Sequence, residues 1–167
     1  AFNEDLLSDI GLTYSELVNK RGEKVDAKGT GGVDFYFKNG YGAYAWGYED
    51  LDYGRELAYG EGFPVPRDEN HNIIAEEVQL PKKDIPCLSI SQFDAKDVFC
   101  NASFPFDITD IENIEGVKDC NYAQEGLYLN YCSGFSYNEF RFVIEHNDKE
   151  KIDSDAKIVV YHSSVNE

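Results

Sequence analysis

The chain has 167 residues and a net charge of −17, from 32 acidic and 15 basic side chains. Phosphate backbones and anionic membrane surfaces repel such a chain, so nucleic acid is not an expected partner. No run of about 18 apolar residues is present to span a bilayer. Aromatic residues make up 14 %, with 12 Tyr and 11 Phe, far above what disordered chains carry, so a folded core is expected.

A short helix is expected over 3–8. Thr13, with Glu16 three positions on, forms a capping box and starts a second helix, with Leu17 and Val18 on its apolar side and Gly22 as its stop. Gly29, Gly31 and Gly32 read as a flexible lead into a strand, since they lack the Lys and following helix of a phosphate loop. Residues 33–37 alternate as a strand. Lys38-Asn39-Gly40 supplies a hairpin turn, and a return strand runs over 41–48. Tyr44, Trp46 and Tyr48 share one face of it. If that face meets the helices they are core. If it is open they form, with Tyr36, Tyr41, Tyr128 and Phe135, a candidate binding surface for a protein or a glycan.

Residues 51–84 read as a long loop with a strand at 73–78, followed by a strand over 87–91 and a helix over 94–100. Asp107 is the next N-cap, and Ile108, Ile111 and Ile114 at i, i+3 and i+6 line one side of a helix that Gly116 ends. Strands are expected over 127–131, with a Ser133-Gly134 turn, then over 137–145 and 158–162. The acidic stretch 148–155 lacks the spacing of a calcium loop and reads as a solvated hairpin.

A shift of 94 positions superimposes much of this pattern. It places Thr13 on Asp107, Leu17 on Ile111, Gly22 on Gly116, Gly32 on Gly126 and Gly40 on Gly134. The expected fold is therefore α+β: a tandem repeat of two helices followed by an antiparallel sheet, with the helices packed on one face of a shared or adjoining curved sheet. The first repeat would span 1–91, with an inserted loop at about 51–84, and the second 92–167.

Chemistry is sparse. His71, His146 and His162 make no short metal motif, and no nucleophile elbow or phosphate loop is present. No catalytic residue, metal or cofactor is expected, and an enzyme is the least favoured reading. Cys87, Cys100, Cys120 and Cys132 include no Cys-x-x-Cys pair, and their even count points to two disulfides and an oxidising compartment, with three connectivities open. Asn101-Ala102-Ser103 matches the N-glycosylation pattern.

The stretch 10–17 (Ile-Gly-Leu-Thr-Tyr-Ser-Glu-Leu) with Gly22 resembles the opening of β-lactamase-inhibitor-protein-like repeats and of small outer-membrane assembly lipoproteins. The stretch from Phe104 through Asp107 to Gly116 and Cys120 resembles it too. Asp26 stands where the family has a Cys, and Pro105 where it has a Gly. The resemblance implies a saddle-shaped sheet built from two units, a Cys120–Cys132 disulfide with Cys87–Cys100 as its companion, and an exported protein, secreted or at the cell surface, with a lipid anchor carried outside this sequence. The family inhibits through an Asp on one hairpin and a Phe on the next. Asn39-Gly40-Tyr41 offers no Asp and both hairpins are short, so inhibition of a β-lactamase is not implied. The expected function is a non-catalytic exported binding or assembly module that meets another protein through a sheet surface, and the alternative is a small-ligand or glycan binder using the aromatic face.

Overall fold

The computed structural model describes residues 1–28, 33–46, 66–126 and 128–163. They form two compact units, Ser8–Ser89 and a second made of Ala1–Leu7 with Ile90–Glu167.

In the Ser8–Ser89 unit, α2 (Tyr14–Arg21) begins with the expected capping box: the Glu16 amide donates to the Thr13 hydroxyl, and the Thr13 amide donates to the Glu16 carboxylate. The helix stops at Gly22, whose φ of 94° is costly for a side-chain-bearing residue. Three antiparallel strands follow in the order β1 (Lys24–Lys28), β2 (Asp34–Phe37), β3 (Ala43–Ala45). The β2–β3 turn at Lys38-Asn39 lies where the Asn-Gly pair placed it. Phe35, Phe37, Tyr44 and Trp46 point inward and meet Tyr14 or one another edge-on or tilted at ring separations of 5.2–6.2 Å. The expected strand at 73–78 is instead a bridge at Ile73 and a 3-10 turn, Ala75–Glu77.

One carboxylate sits inside this unit. Asp9 is fully buried, and Arg21 grips it with two hydrogen bonds, Nε to Oδ2 at 2.9 Å and Nη2 to Oδ1 at 3.0 Å. Lys20 Nζ lies 2.7 Å from Oδ1, and the Tyr44 hydroxyl donates to Oδ2 at 2.6 Å. Burial, then the bond to Asp9, holds the Tyr44 phenol well above its ordinary range. The end of α2 and the inner face of β3 are thus tied to the turn after residue 8. That turn is in turn bracketed by Cys87, whose carbonyl accepts from Gly11 and whose amide donates to Leu12.

In the second unit the strand order is β4 (Ser89–Asp94), β10 (Lys157–His162), β8 (Phe140–His146), β7 (Tyr131–Tyr137), β6 (Val117–Glu125), and β5 (Phe106–Asp107) pairs with β9 (Lys151–Ile152). The helices are short, α1 (Glu4–Leu7) and α3 (Ala95–Val98). The core is again aromatic. Phe135 and Phe142 stack at 4.7 Å, and Phe2 packs on both, on Phe99 and on Tyr137.

The expected tandem of helix pair plus sheet is overturned. Among the described residues there are three α-helices of four, eight and four residues against ten strands, and every ladder with an assigned register is antiparallel. Gly22 and Gly116 do share a positive φ, but the 94-residue correspondence fails around them. Residues Ile108–Asn113 form a 3-10 helix, the geometry that an i, i+3, i+6 row of isoleucines fits at three residues per turn. Asp107 makes no cap bond there and pairs with Lys151. Gly40 closes a turn, whereas Gly134 lies inside β7, where an added Cβ would stand 2.9 Å from both Arg141 Nη2 and Asn121 Oδ1.

Asp9→Asn, which keeps the side chain's shape but removes the charge facing Arg21, is expected to cost about 3 kcal/mol in urea unfolding, because it strands a mostly buried guanidinium. Lys20→Met, at the wetter edge of the same cluster, should cost under about 1 kcal/mol. Phe2→Ala is expected to cost about 3–5 kcal/mol by opening a cavity against Phe135 and Phe142.

Candidate functional site

The alternation of β7, β8 and β10 in the second unit separates two faces. Phe135, Phe142, Ile144, Ile158 and Val160 face the core. The opposite face can be read from the ladders, since directly paired residues share a side. One row carries Cys132, Glu145 and Lys157. The next carries Gly134, Val143 and Val159, and the third Ser136, Arg141 and Tyr161. β6 adds Gln124, Asn121 and Lys118 to these rows in turn. The face therefore has an apolar middle row flanked by an Arg–Tyr pair on one side and a charged row on the other. It presents three cations and one carboxylate in a chain that is strongly acidic overall.

Gly134 sets the shape of this face. With no side chain at its centre, Arg141 lies across the sheet, donating from Nη1 to the Asp119 carbonyl at 2.7 Å and to Ser136 Oγ at 3.0 Å. Lys157 pairs with Asp94.

Beyond this face the β6–β7 hairpin ends in a tip closed by the Gly126 amide donating to the Asn130 carbonyl at 2.8 Å. Tyr128 is 82 % exposed and Leu129 99 % exposed at that tip, with Leu129 at a φ of 58°. Such a conformation is uncommon for a bulky side chain. Of the strand expected over 127–131, residues 128–130 are loop and Tyr131 opens β7, because Gly126 and Asn130 close the turn ahead of the Ser133-Gly134 pair.

The expected binding residues scatter. Tyr44, Trp46 and Phe135 are core and form no surface. Tyr36 is half-buried with Lys28 over its ring, and Tyr41 is half-buried under the Arg21 guanidinium at 4.9 Å. Tyr48 lies outside the described residues. Only Tyr128 is prominently exposed. Arg141, Val143, Val159 and Tyr161 were not singled out from sequence. Their period-two alternation with Phe142, Ile144, Ile158 and Val160 was the signal that could have marked them.

No disulfide is present among the described residues: Cys87 is buried, Cys100 exposed, Cys120 and Cys132 half-buried, all as free thiols. Register separates the last two. Cys132 stands opposite Gln124, while Cys120 precedes Asn121, which stands opposite Gly134. The offset of about three residues is roughly 10 Å along a strand, beyond the ~7 Å between Cα atoms that a disulfide tolerates.

One pair has the relation of nucleophile to base. Ser133 Oγ and His146 Nε2 are 2.8 Å apart, and His146 Nδ1 lies 2.6 Å from the Asp148 carbonyl. Both side chains are almost fully buried, at 2 % and 3 % exposure. Among the described residues no group of three or more His, Cys, Asp or Glu side chains is placed to hold a metal ion.

No protein-family model matches the chain, and no curated protein or solved structure matches it either. Among the described residues no helix is long and apolar enough to cross a membrane.

Burial pushes the Cys87 thiol far above its ordinary range. In the native protein a maleimide is expected to label Cys100 first and leave Cys87 unmodified until unfolding. Unfolded without reductant, the chain should titrate as four thiols; two or none would overturn the free-thiol assignment.

Proposed function

We propose that the chain is a non-catalytic binding or assembly module that meets a partner protein through the β6–β7 hairpin tip and the outer sheet face behind it. The observation that carries this reading is the pair Tyr128 and Leu129, presented together to solvent at the end of a hairpin. Exposing an aromatic and an aliphatic side chain there forgoes the free energy of burying them, about 2 kcal/mol each, and a partner surface recovers it. The Tyr161–Arg141 pair and the Val143–Val159 row extend the contact in residue types that anchor interfaces. Lys118 and Arg141 on this face favour a partner with an acidic rim.

Burial of Ser133 and His146 favours a binding role over catalysis. Burial of Tyr44 and Trp46 removes the aromatic platform on which a glycan-binding reading rested. Export, to a secreted or surface location, is a separate part of the proposal. It rests on the family resemblance alone, because the four free thiols remove the disulfides that the even cysteine count implied.

Tyr128→Ser combined with Leu129→Ser is expected to leave the unfolding midpoint within about 0.5 kcal/mol of the parent, as for surface changes generally. The same variant should abolish the protein cross-links that a photoreactive group placed at position 161 forms with the parent. Cross-links that persist unchanged in the double variant would count against the tip as the contact.

A further inference from the structure

Three polar side chains are buried in the described chain, Asp9, Ser133 and His146. Asp9 is accounted for by Arg21 and Tyr44. The other two form a continuous relay. The Asp148 carbonyl can only accept, so His146 Nδ1 carries the proton, and Nε2 of the neutral ring accepts the Ser133 hydroxyl. The Ser133 oxygen accepts in turn from the Ala123 amide at 2.9 Å. Ala123 has a φ of 49° and lies where the β6–β7 register shifts between Asn121 and Gln124. At a bulge an amide loses its place in the ladder, and Ser133 satisfies this one.

The relay sits immediately below the tip. Above it only two ladder pairs remain, Gln124 with Cys132 and Glu125 with Tyr131. A second tether comes from Asn130 Nδ2, which donates to Glu145 Oε1. The last two residues of β8 thus hold the hairpin from both faces of the sheet, Glu145 through Asn130 and His146 through Ser133.

We infer that Ser133 and His146 are positioning residues for the Tyr128–Leu129 tip, and that the neutral form of His146 is what holds the tip in place. This rests on reading the tip as the binding element. Proton uptake turns Nε2 from an acceptor into a donor, so it no longer accepts the Ser133 hydroxyl. A recess of about 210 Å³ beside His146 is lined by Glu145 of β8, Asp153 and Asp155 beyond β9, and Lys157 of β10. From β7 the Tyr131 ring lies 6.1 Å away, tilted. The Asp148 carboxylate is engaged by the amides of Glu150 and Lys151 and does not compete. Both Ser133 lone pairs are then taken, one by the Ala123 amide and one by Nε2–H, and the buried hydroxyl proton is left without its acceptor, while the recess carboxylates offer the imidazolium competing partners.

Amide exchange at residues 123–130, followed by NMR on the whole chain over about pH 8 to 5, where imidazole is the side chain that changes charge, tests this without any partner. After correction for the intrinsic rate, exchange in the parent is expected to quicken towards acid. Ser133→Ala should quicken it about tenfold at neutral pH, the effect of one lost hydrogen bond. His146→Gln, an uncharged donor and acceptor, should keep the tip protected and abolish the acid effect. Unchanged exchange in Ser133→Ala, or an acid effect that survives in His146→Gln, overturns the inference. Should either variant fail to fold, the parent alone decides. The Ala123 amide resonance is expected to move together with the His146 ring resonances, and an Ala123 signal that stays flat while His146 titrates overturns it. A tip that loosens as stated while the double tip variant still cross-links would support the positioning role and overturn the binding reading.

Discussion

Each strand of an antiparallel sheet must take one face out of water, and in this chain that task falls on rings. Phe35, Phe37, Tyr44 and Trp46 line one unit, and Phe2, Phe135 and Phe142 the other. Rings this large fill the space above a sheet with few side chains, so short helices suffice as cover. The described α-helices, of four, eight and four residues, fit that role. None of them would be stable alone at that length. They hold because the aromatic face and, for α2, a capping box and a buried ion pair fix them.

The same aromatic interior decides where polar groups can go. A buried carboxylate survives beside Tyr44 because two cations and a phenol surround it, and removing one partner costs more than the cluster contributes as a whole. A buried histidine survives because both ring nitrogens have partners of the correct kind. In each case a polar residue links a piece of irregular backbone to a strand: the turn at Asp9 to β3, and the bulge at Ala123 to β8. The inner faces thus carry structure, and the outer face of β7, β8 and β10 is half-buried at most of its positions. Gly134 marks the transition, since its missing side chain lets Arg141 lie flat across the outer rows.

Much of the first half was legible from local chemistry. Thr13 and Glu16 act on backbone amides within one turn, Gly22 ends the helix by its own conformational freedom, and Asn39-Gly40 lies at its hairpin turn for the same reason. The second half misled because its pattern is ambiguous at short range. Leu-Tyr-Leu-Asn-Tyr alternates like a strand, yet its exposed Tyr128 and Leu129 meet no core, and Gly126 with Asn130 closes the loop. Ser133-Gly134 has turn composition, yet Gly134 lies mid-strand, where the side-chain tips of Arg141 and Asn121 close over it. Reading Tyr44, Trp46 and Phe135 as a surface failed for a related reason: alternation shows that residues share a face but not which face is wet.

Sequence alone determined whatever depends on a few adjacent residues: the caps, the stops, one hairpin turn and the approximate place of most strands. It also set the net charge of −17. Tertiary structure alone decided which aromatic face is buried, how far Cys120 lies from Cys132 and that Ser133 meets His146. Those depend on strand register, and a shift of one residue would turn every side chain to the other face. The exposed tip belongs to the same class, because a tyrosine and a leucine become a candidate contact only once the rest of the chain has folded without covering them.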